Sequence, residues 1–530
     1  MTMHKTFFAL MAIMLLMYTG CKPTVINDAV RATRIDDAAS VQKLHPVVFV
    51  SESSDQDAVT IRGDLGSVDW GSLVGREITI TGELVVVDTY DLARRGQIKV
   101  ARSRLFVPTE QVDPNDADPS AKSFEGGSNV AKVTQAQKFN DKATIIIDDG
   151  TAKQNIFPPQ LFPELGKTYP TVRTGSVIKG VSGKLVKAGS KLLLVPAGPL
   201  QWTAAERPER PDVGKPGMTV ASFNVLNYFT TIDNGSNRAR GADSPSELKR
   251  QQAKIVAAIV ALQADVVGLM EIENNAEAEQ RLVAALNEAV GKEVFKGCGL
   301  PKEFRWAPGG RGPIRVGIIY RSDRVTPVGE VGVVRDDAFH AARTPIVQAF
   351  KSKKVRKPVT VIVNHFKSKG GSDRADVANK NKGDGQGAFN ATRRAQSLAI
   401  CNYVDELSRQ SKNPRVLVIG DLNAYGQEDP IDAMRARGLV DLNERFAEKG
   451  SSEDQQGHYS YIYAGQCGSL DHAMATESLA ANVTKIATWH INADEPRFLD
   501  YNEEYNPRKL YEANLFRSSD HDPVLIGIGK

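Results

Sequence analysis

Strand-like apolar runs alternate with helical segments from residue 217 to residue 530. The clearest apolar runs are 218–225, 265–272, 316–321, 359–366 and 415–421. The first helix is predicted to start at Ser244, because this serine suits the N-cap and is followed by Pro245 and, three residues on, by Glu247. Regular alternation of strands and helices is typical of an α/β domain, and residues 217–530 are predicted to form one.

The sequence before residue 206 has a different periodicity. Between residues 45 and 205 apolar and polar side chains mostly alternate with a period of two, and long helical patterns are absent. The segments 176–186 and 191–196 flank a short turn and predict a hairpin. We therefore expect a small all-β domain over 45–205, whose strand order resembles the oligonucleotide/oligosaccharide-binding (OB) barrel. Three prolines in 206–216 predict a stiff, extended linker between the two domains.

The first 21 residues have the pattern of an export signal. Lys5 precedes an unbroken apolar run of eleven residues, 7–17, which is too short to span a membrane and fits the apolar part of a signal peptide. Small residues then lead to Cys21, as in the bacterial lipobox. We expect Cys21 to be acylated and the protein to be an outer-membrane or cell-surface lipoprotein, with plain secretion or a periplasmic location as the alternative. Residues 22–44 are expected to form a tether.

The charge and cysteine content exclude several classes of protein. The 67 basic and 63 acidic residues give a net charge of only +4, spread evenly along the chain, so net charge does not indicate a nucleic-acid-binding domain. Besides Cys21 there are Cys298, Cys401 and Cys467, which permit at most one disulfide and match no zinc-binding spacing. We expect them to be buried as small apolar side chains, and the sequence does not decide whether two of them pair.

Several predicted strands of the α/β domain end in a polar or charged residue. These residues, with two Asp-His dipeptides near the carboxyl terminus, are Asn224, Glu271, His365, Asp421, Asn423, Asp471, His472, Asp520 and His521. Each has an ordinary explanation as a cap, a turn or a packed side chain, but together they indicate a crevice of the kind in which α/β proteins bind ligands. Oxygen-rich side chains suit Mg²⁺, Mn²⁺ or Ca²⁺ better than Zn²⁺. With histidines to accept a proton from water, the set predicts metal-assisted hydrolysis of a phosphoester.

These positions carry motifs that resemble those of the endonuclease/exonuclease/phosphatase superfamily, and most closely those of its bacterial extracellular nucleases. In chain order the matching segments are Ala221-Ser-Phe-Asn224, Leu269-Met-Glu271, Val363-Asn-His365, Gly420-Asp-Leu-Asn423, Leu470-Asp-His472 and Ser519-Asp-His-Asp-Pro-Val524. The resemblance covers about 215–530 and implies a four-layer α/β sandwich. Two mixed β-sheets would lie face to face with helices outside them, and the site would lie at one rim.

The resemblance implies a metal-binding group and a general base. Glu271 is expected to bind the divalent metal, Mg²⁺ or Mn²⁺ with Ca²⁺ as the alternative, and Asn224 and Asp520 are expected at or near the ion. His521 is expected to be the general base that acts on water, and Asp471 is expected to orient it.

The resemblance also implies contacts to the substrate. Asp421 and Asn423 are expected to hold the nucleophile or the phosphate, and Arg343 is expected to donate to phosphate. His365 is expected either to bind the scissile phosphate or to protonate the leaving oxygen. Tyr320 is expected to form a wall of the substrate groove, with simple packing as the alternative.

Three features lie outside this pattern. Relatives carry an acidic residue just before the strand that ends at Tyr320, and it orients the phosphate-side histidine, whereas 309–314 has no acid here. We therefore expect His365 to be oriented differently or by another carboxylate. His472 is expected to have a structural part. The loop 369–389 is expected to be solvated, with a flap that faces nucleic acid as the alternative.

The sequence as a whole predicts an exported, lipid-anchored, divalent-metal nuclease that acts on DNA, with RNA left open as a second substrate. The β domain is expected to aid strand binding, and the protein to be a monomer without a protein partner. A phosphatase or lipid phosphodiesterase of the same superfamily is one alternative, and a surface binding protein without catalysis is another. The sequence does not decide between endonuclease and exonuclease action.

Overall fold

The computed structural model describes residues 58–115, 128–167, 171–446, 458–504, 506 and 510–530. The predicted signal sequence with Cys21, the predicted tether and the first residues of the predicted β domain lie outside the described residues. Within the described ranges, no helix combines the length and the apolar character that crossing a membrane requires.

Most of the regular elements in the first region, residues 58–203, are strands. They are β1 (Ala58–Ile61), β2 (Glu77–Ile80), β3 (Leu84–Asp88), β4 (Gln97–Ala101), β5 (Leu105–Phe106), β6 (Ile145–Asp148), β7 (Val177–Ile178), β8 (Val181–Ala188), β9 (Lys191–Pro196) and β10 (Trp202–Thr203). All except β5 form one sheet, in the order β1-β2-β8-β9-β6-β4-β3-β7-β10. The predicted hairpin is present as the antiparallel pair β8 and β9. This confirms the prediction of a region built on strands, although its nine-stranded sheet is larger than the five-stranded OB barrel.

Helices were not predicted in this region, yet its described residues include three α-helices. They are α1 (Leu92–Arg95), α2 (Pro108–Gln111) and α3 (Val130–Lys142). The longest, α3, buries only Val133 and Asn140 of its thirteen residues. So narrow a buried stripe produces no helical periodicity in the sequence, which explains why the pattern did not indicate a helix.

The proline-rich segment 206–216 has neither helix nor strand and packs against the second region. The indole Nε1 of Trp489 donates to the carbonyl oxygen of Pro208 at 3.0 Å, and Nε of Arg210 donates to the carbonyl oxygen of Leu262 at 2.8 Å. Val213 is buried. The segment is therefore a docked connection and does not act as a free spacer.

The second region, from residue 218 onward, alternates strands and helices. Its strands are β11 (Met218–Tyr228), β12 (Val266–Glu273), β13 (Phe295–Gly297), β14 (Ile314–Arg321), β15 (Val325–Val333), β16 (Ile346–Ser352), β17 (Val359–His365), β18 (Val416–Asp421), β19 (Val440–Asp441), β20 (Tyr461–Tyr463), β21 (Gln466–Gly468), β22 (Asp471–Ala475), β23 (Val483–Thr488) and β24 (Val524–Ile528). Its helices are α4 (Pro245–Leu262), α5 (Glu277–Val290), α6 (Asn390–Gln410), α7 (Asp429–Ala436), α8 (Leu442–Phe446) and α9 (Glu477–Ala480). As predicted, Ser244 caps α4, and its side chain accepts the N–H of Glu247.

Two six-stranded mixed sheets form the centre of this region, in the orders β13-β14-β12-β11-β24-β23 and β15-β16-β17-β18-β22-β19. An apolar core that includes Val220, Met270, Val363 and Ile419 fills the space between them. Helices α4 and α5 pack on the outer face of the first sheet, and α6 and α7 on the outer face of the second. This arrangement confirms the predicted four-layer sandwich.

The two regions share structure. Strand β5 of the first region pairs in parallel with β21 of the second, in a small sheet of the order β20-β21-β5. Phe498, Leu499 and Leu510 of the second region lie in the apolar core of the first. The first region therefore packs directly against the loops that follow the strands of the sandwich.

The three cysteines of the described residues are free thiols. Cys401 and Cys467 are buried, and Cys298 is partly buried. Burial raises the pKa of the Cys467 thiol to about 12, so this group stays protonated at neutral pH. This agrees with the expectation that the cysteines act as small apolar side chains.

Candidate active site

Strand direction brings one end of each large sheet to the same place. β11 and β12 are parallel, as are β17 and β18, so the carboxyl ends of these four strands lie at one rim. β22 and β24 run antiparallel to β18 and β11, and they therefore contribute residues where they begin. In register, His365 lies beside Asp421, and Asp421 lies beside Asp471. The predicted site residues on both sheets thus reach a common rim.

His521 and Asp471 form a buried hydrogen-bonded pair. Nδ1 of His521 lies 2.7 Å from Oδ2 of Asp471. The hydroxyl of Ser460 donates to the same carboxylate oxygen, also at 2.7 Å. The ring of Tyr461 lies against the imidazole, with 4.7 Å between the ring centroids. Because a carboxylate only accepts, Nδ1 carries the hydrogen, and Nε2 is the atom of His521 that is left to exchange a proton.

The charges around His521 favour its protonated form. Burial opposes that form, but the carboxylate of Asp471, assisted by Asp520 and Asp421, raises the pKa of His521 well above its usual range. Nε2 lies 4.0 Å from Oδ2 of Asp421. The site therefore stabilises the imidazolium ion that forms when His521 takes a proton.

Asp421 contacts three other predicted site residues. Its Oδ2 accepts from Nδ2 of Asn224 at 3.3 Å and lies 3.3 Å from Nε2 of His365, while its Oδ1 accepts the N–H of Asn423 at 2.9 Å. Burial raises the pKa of Asp421 to about 7, an effect that the charge of His521 opposes. One buried carboxyl thus contacts side chains from both sheets.

Glu271 is presented by an irregularity in β12. The register with β14 shifts between Leu269 and Ile272, and Glu271 has a φ of 65°, which is uncommon outside glycine. Its Oε2 accepts the N–H of Asn227 at 3.0 Å. Burial and the nearby charge of Asp520 raise the pKa of Glu271. Backbone strain of this kind costs free energy and concentrates at functional sites.

His365 lies between two carboxylates. Its Nε2 is 3.3 Å from Asp421 and 3.8 Å from Oε1 of Glu271, and its Nδ1 has no hydrogen-bond partner among the described residues. Burial, together with the charges of Arg343 and His521, lowers the pKa of His365 well below its usual range. The structure thus places the carboxylate of Asp421 beside a histidine whose usual orienting acid is missing from the sequence.

Arg343 and Asn423 share one acceptor. Nη1 of Arg343 donates to the carbonyl oxygen of Phe366 at 2.8 Å, and Nδ2 of Asn423 donates to the same oxygen at 3.2 Å. Burial lowers the pKa of Arg343, and the charges of Glu271 and Asp421 oppose that shift. The guanidinium is therefore fixed beside the carboxylates by a neutral partner, which leaves its charge available to an anion.

A model of the endonuclease/exonuclease/phosphatase family matches residues 221–521, which is more than half of the chain. The chain belongs to this family. Members of the family are hydrolases that act on phosphoester bonds, so the chain is assigned to that class of enzyme.

Several solved structures are similar to part of this chain. The catalytic domain of human Nocturnin, with bound sulfate, is 16% identical, covers 58% of this chain and 93% of its own, and has a TM-score of 0.36. A mannosyl-6-phosphatase of Bacteroides thetaiotaomicron is 16% identical over 59% of this chain and 100% of its own, with a TM-score of 0.36. A humanized TDP2 of D. rerio is 14% identical, covers 59% of this chain and 99% of its own, and has a TM-score of 0.37. No curated protein matches the chain.

The oxygen atoms at the candidate active site suit a hard divalent cation. Glu271, Asp520 and Asn224 all offer oxygen atoms, and the charge of Asp520 raises the pKa of Glu271, so the two carboxylates repel each other. A cation held between them would offset this repulsion. It would also offset the negative charge that raises the pKa of His521, and so favour the neutral imidazole that a general base requires.

A tight acidic cluster lies elsewhere in the chain, at the start of α4. Asp243, Glu247 and Glu504 each bring an oxygen atom within 4.8 Å of the others. Both oxygens of Glu247 already accept backbone N–H groups, those of Asp243 and Glu503, at 3.1 and 2.6 Å. The cluster is therefore explained by the capping of the helix and the anchoring of the segment beside it.

The prediction that Tyr320 forms a wall of the substrate groove is wrong. β14 runs antiparallel to β12, so Tyr320 pairs with Val266 at the start of β12, whereas Glu271 lies near the other end of that strand. The ring of Tyr320 packs on Phe350, with 5.4 Å between the centroids. The alternative of simple packing is correct, because strand polarity places this residue at the opposite rim.

His472 and part of the loop 369–389 have structural surroundings. Nε2 of His472 lies 2.8 Å from the carbonyl oxygen of Ala424, and the residue is buried behind the site. Lys369 pairs with the buried Glu428, and Gln386 is also buried. Residues 370–385 are mostly exposed, so the expectation of a solvated loop fits its middle and does not fit its ends.

Ser460 and Tyr461 are site residues that sequence reasoning missed. Ser460 fixes Asp471 through its hydroxyl, and Tyr461 covers one face of His521. The only signal in the sequence is the alternation of tyrosines at 459, 461 and 463, which predicts a strand edge and nothing about catalysis.

Glu110 of the first region is hydrogen-bonded to two loops of the candidate site. Its Oε2 accepts the N–H groups of Ser469 at 2.9 Å and Gly426 at 3.3 Å. These two residues lie close in sequence to Asp471 and Asn423 respectively. The first region is thus hydrogen-bonded to the backbone behind two site residues, a role that the expectation of strand binding did not include.

Replacing Glu110 with glutamine is expected to remove part of the pH dependence of stability. Burial raises the pKa of Glu110 to about 8, whereas an unfolded glutamate titrates near 4.3. As the pH rises between these values the unfolded state loses its proton first, so the stability of the wild-type protein falls, on the order of a few kcal/mol from this group. Urea unfolding should show the variant to be more stable than the wild type at pH 8 and similar at pH 5. An equal difference at both pH values would contradict this.

Proposed function

We propose that this protein is an exported, divalent-metal-dependent nuclease that hydrolyses phosphodiester bonds of DNA, with RNA as the alternative polymer. The observation that carries the proposal is the buried His521–Asp471 pair beside Asp421, with Glu271 on the opposite sheet. A histidine oriented by a carboxylate, next to an oxygen-rich donor set, is what water activation at a phosphoester needs.

In this proposal Glu271, Asp520 and Asn224 would hold Mg²⁺ or Mn²⁺, and the ion would polarise a phosphoryl oxygen. Nε2 of His521 takes a proton from the attacking water, whose oxygen then bonds to phosphorus. Asp471 holds the imidazole through Nδ1 and stabilises the imidazolium that results. The bond between phosphorus and the leaving oxygen breaks, and that oxygen takes up a proton from solvent, while the imidazolium of His521 later returns its proton to solvent.

The remaining residues position the phosphate. Arg343 donates to a phosphoryl oxygen, and Asp421 and Asn423 orient the water and the phosphate. His365 has its pKa lowered well below the usual range by burial, so it acts as a neutral hydrogen-bond donor to phosphate. Of the two roles expected for His365, phosphate binding is thus better supported than protonation of the leaving oxygen.

The cellular location belongs to the same proposal. The export signal and Cys21 lie outside the described residues, so the proposal of a lipid-anchored protein at the outer membrane or cell surface depends on the sequence pattern alone. The proposed state is a monomer without a protein partner.

A panel of three substrate classes tests the proposal. The purified protein is incubated with Mg²⁺ or Mn²⁺ and with single-stranded or duplex DNA, a sugar phosphate, or a phospholipid head group. We expect cleavage of DNA and little release of inorganic phosphate from the sugar phosphate. The reverse preference would favour the phosphatase alternative, and turnover of none of the three would favour a binding protein without catalysis.

A further inference from the structure

A basic groove opens beside the candidate active site. It has a volume of about 680 Å³ and lies between the turn that carries Trp306, the loop 307–314 and the segment 340–343. Its cationic side chains are Arg240, Arg305, Arg311, Arg343 and Lys367. Among the described residues that line the groove none is acidic, and none of these five cations forms an ion pair within 4.0 Å with a described acid. Although the net charge of the whole chain is only +4, this groove is therefore a strongly positive surface.

The groove is continuous with the site. Arg343 lines the groove and lies close enough to Glu271 and Asp421 for their charges to act on its pKa. Lys367 directly follows Phe366, whose carbonyl oxygen holds Arg343. An anionic chain whose reacting phosphate lies at Glu271 would therefore enter this groove with the phosphates next to it.

The groove presents one aromatic ring to solvent. Trp306 is 68% exposed, the largest exposed fraction of any aromatic side chain among the described residues, and the guanidinium of Arg311 lies 5.4 Å from its ring centroid. An exposed tryptophan beside unpaired cations is typical of surfaces that bind single-stranded nucleic acid, because any unpaired base can stack on such a ring.

The turn that carries Trp306 is held firmly by its surroundings. Phe304 is buried in the core between the sheets, and Nδ2 of Asn274 donates to the carbonyl oxygens of Gly310 and Gly312 at 2.9 and 2.7 Å. A Cβ atom at Gly310 would lie 2.0 Å from the carbonyl oxygen of Phe304, so only glycine fits there. Asn274 lies three residues after Glu271, and it thus ties the groove to the strand that carries the proposed metal ligand.

We propose that this groove binds the single-stranded stretch of a polynucleotide next to the bond that is cut, with one unpaired base stacked on Trp306. The inference depends on the proposed nuclease function and deepens it by naming the form of the substrate. Five cations exceed what one phosphomonoester needs, and they match a chain of phosphates. In a duplex the faces of the bases are covered by their neighbours, so the ring favours an unpaired strand.

Binding of a labelled oligothymidylate of about 12 nucleotides, measured by fluorescence anisotropy in the presence of a chelator that prevents turnover, tests the inference. We expect tighter binding of the single strand than of a duplex of the same length. Trp306→Ala should raise the Kd for the single strand about tenfold. Arg311→Ala should reduce the slope of log Kd against log salt by about 0.7. Phe139→Ala, which removes an exposed aromatic ring on α3, is the matched control and should leave the Kd unchanged.

An unchanged Kd for the single strand in Trp306→Ala would overturn the inference. It would also be overturned if duplex and single strand bound equally tightly and if Trp306→Ala and Arg311→Ala each weakened the binding of both by the same factor. Because Trp306 and Arg311 are exposed, the variants should keep the melting temperature of the wild type. The failure of each proposal can be recognised separately. If the protein cleaves DNA and Trp306→Ala leaves the Kd unchanged, only the proposed binding to the groove is contradicted. If the single strand binds through Trp306 but no cleavage occurs, only the proposed nuclease function is contradicted.

Discussion

Replacing His521 with alanine is expected to lower kcat for DNA cleavage by a factor of about 10² to 10⁴, the usual contribution of a general base. Asp471 orients the ring of His521 through a hydrogen bond of 2.7 Å to Nδ1, which leaves Nε2 as the proton acceptor. The change removes the proton acceptor and leaves the proposed ligands Glu271 and Asn224 in place. Steady-state cleavage of a labelled oligonucleotide measures the effect.

Added imidazole provides the control for this variant. If His521 acts as a base, imidazole that diffuses into the vacated space should restore part of the lost rate, whereas it should not affect the wild-type enzyme. The melting temperature should show that the variant is folded. A kcat within threefold of the wild type would contradict the role of His521.

Replacing Asp494 with alanine is expected to have the largest effect on stability, about 3 to 5 kcal/mol. Its carboxylate pairs with Arg104 at 2.9 Å and with Arg173 at 3.2 Å, and all three groups are largely buried. Burial opposes the ionised form of Asp494, but the two guanidinium groups hold its pKa well below the usual range. Removing the carboxylate leaves the buried Arg104 without an ion-pair partner among the described residues, and leaves Arg173 with Glu495 alone, at 3.6 Å. An uncompensated buried charge costs more free energy than the pair itself contributes.

The same change is expected to lower activity, because a chain of contacts connects Asp494 to the neighbour of His521. The hydroxyl of Tyr459 donates to Asp494 at 3.0 Å, and the ring of Tyr459 stacks on His490, with 4.0 Å between the centroids. His490 in turn bonds Asp522, the neighbour of His521, at 2.9 Å. Urea unfolding and kcat of the same samples measure both effects.

Asp323→Ala is the matched control for Asp494→Ala. Asp323 also pairs with an arginine, Arg321, at 2.9 Å, but its side chain is 42% exposed. Solvent screens such a pair, so the loss should be under about 1 kcal/mol. Equal losses in the two variants would show that the buried arginines Arg104 and Arg173 do not depend on Asp494.

The sequence predicted the layers of the sandwich, and the structure brings most of the predicted site residues together at one rim. An apolar run with a polar residue at its end marks both a strand and the end of that strand, which is why the pattern predicts that Glu271, His365 and Asp421 lie at one rim. Tyr320 was placed wrongly because an apolar run does not reveal the direction in which its strand is paired. Ser460 acts through a single hydroxyl, and a lone serine carries no pattern from which its partner can be read.

The contacts between the two regions were also beyond sequence reasoning. Glu110 and Arg104 look like ordinary surface residues of a strand-rich domain, yet they are bonded to Ser469 and Asp494, more than 350 positions away. The basic groove has the same origin, since Arg240, Trp306 and Lys367 are distant in sequence and the net charge of the chain is close to zero. Such sites are made by packing and appear only when the chain is folded.

Cleavage of a supercoiled plasmid tests the central claim most directly. The protein is incubated with the plasmid and Mg²⁺, with and without a chelator, beside Glu271→Gln and the control Glu273→Gln. Glu273 follows Glu271 by two residues on the same strand, but its Oε2 accepts the N–H groups of Thr230 and Thr231 at 2.8 and 3.0 Å. We predict nicking or degradation by the wild type and Glu273→Gln that the chelator abolishes, and none by Glu271→Gln. Cleavage that persists in the chelator, or in Glu271→Gln, would contradict the account.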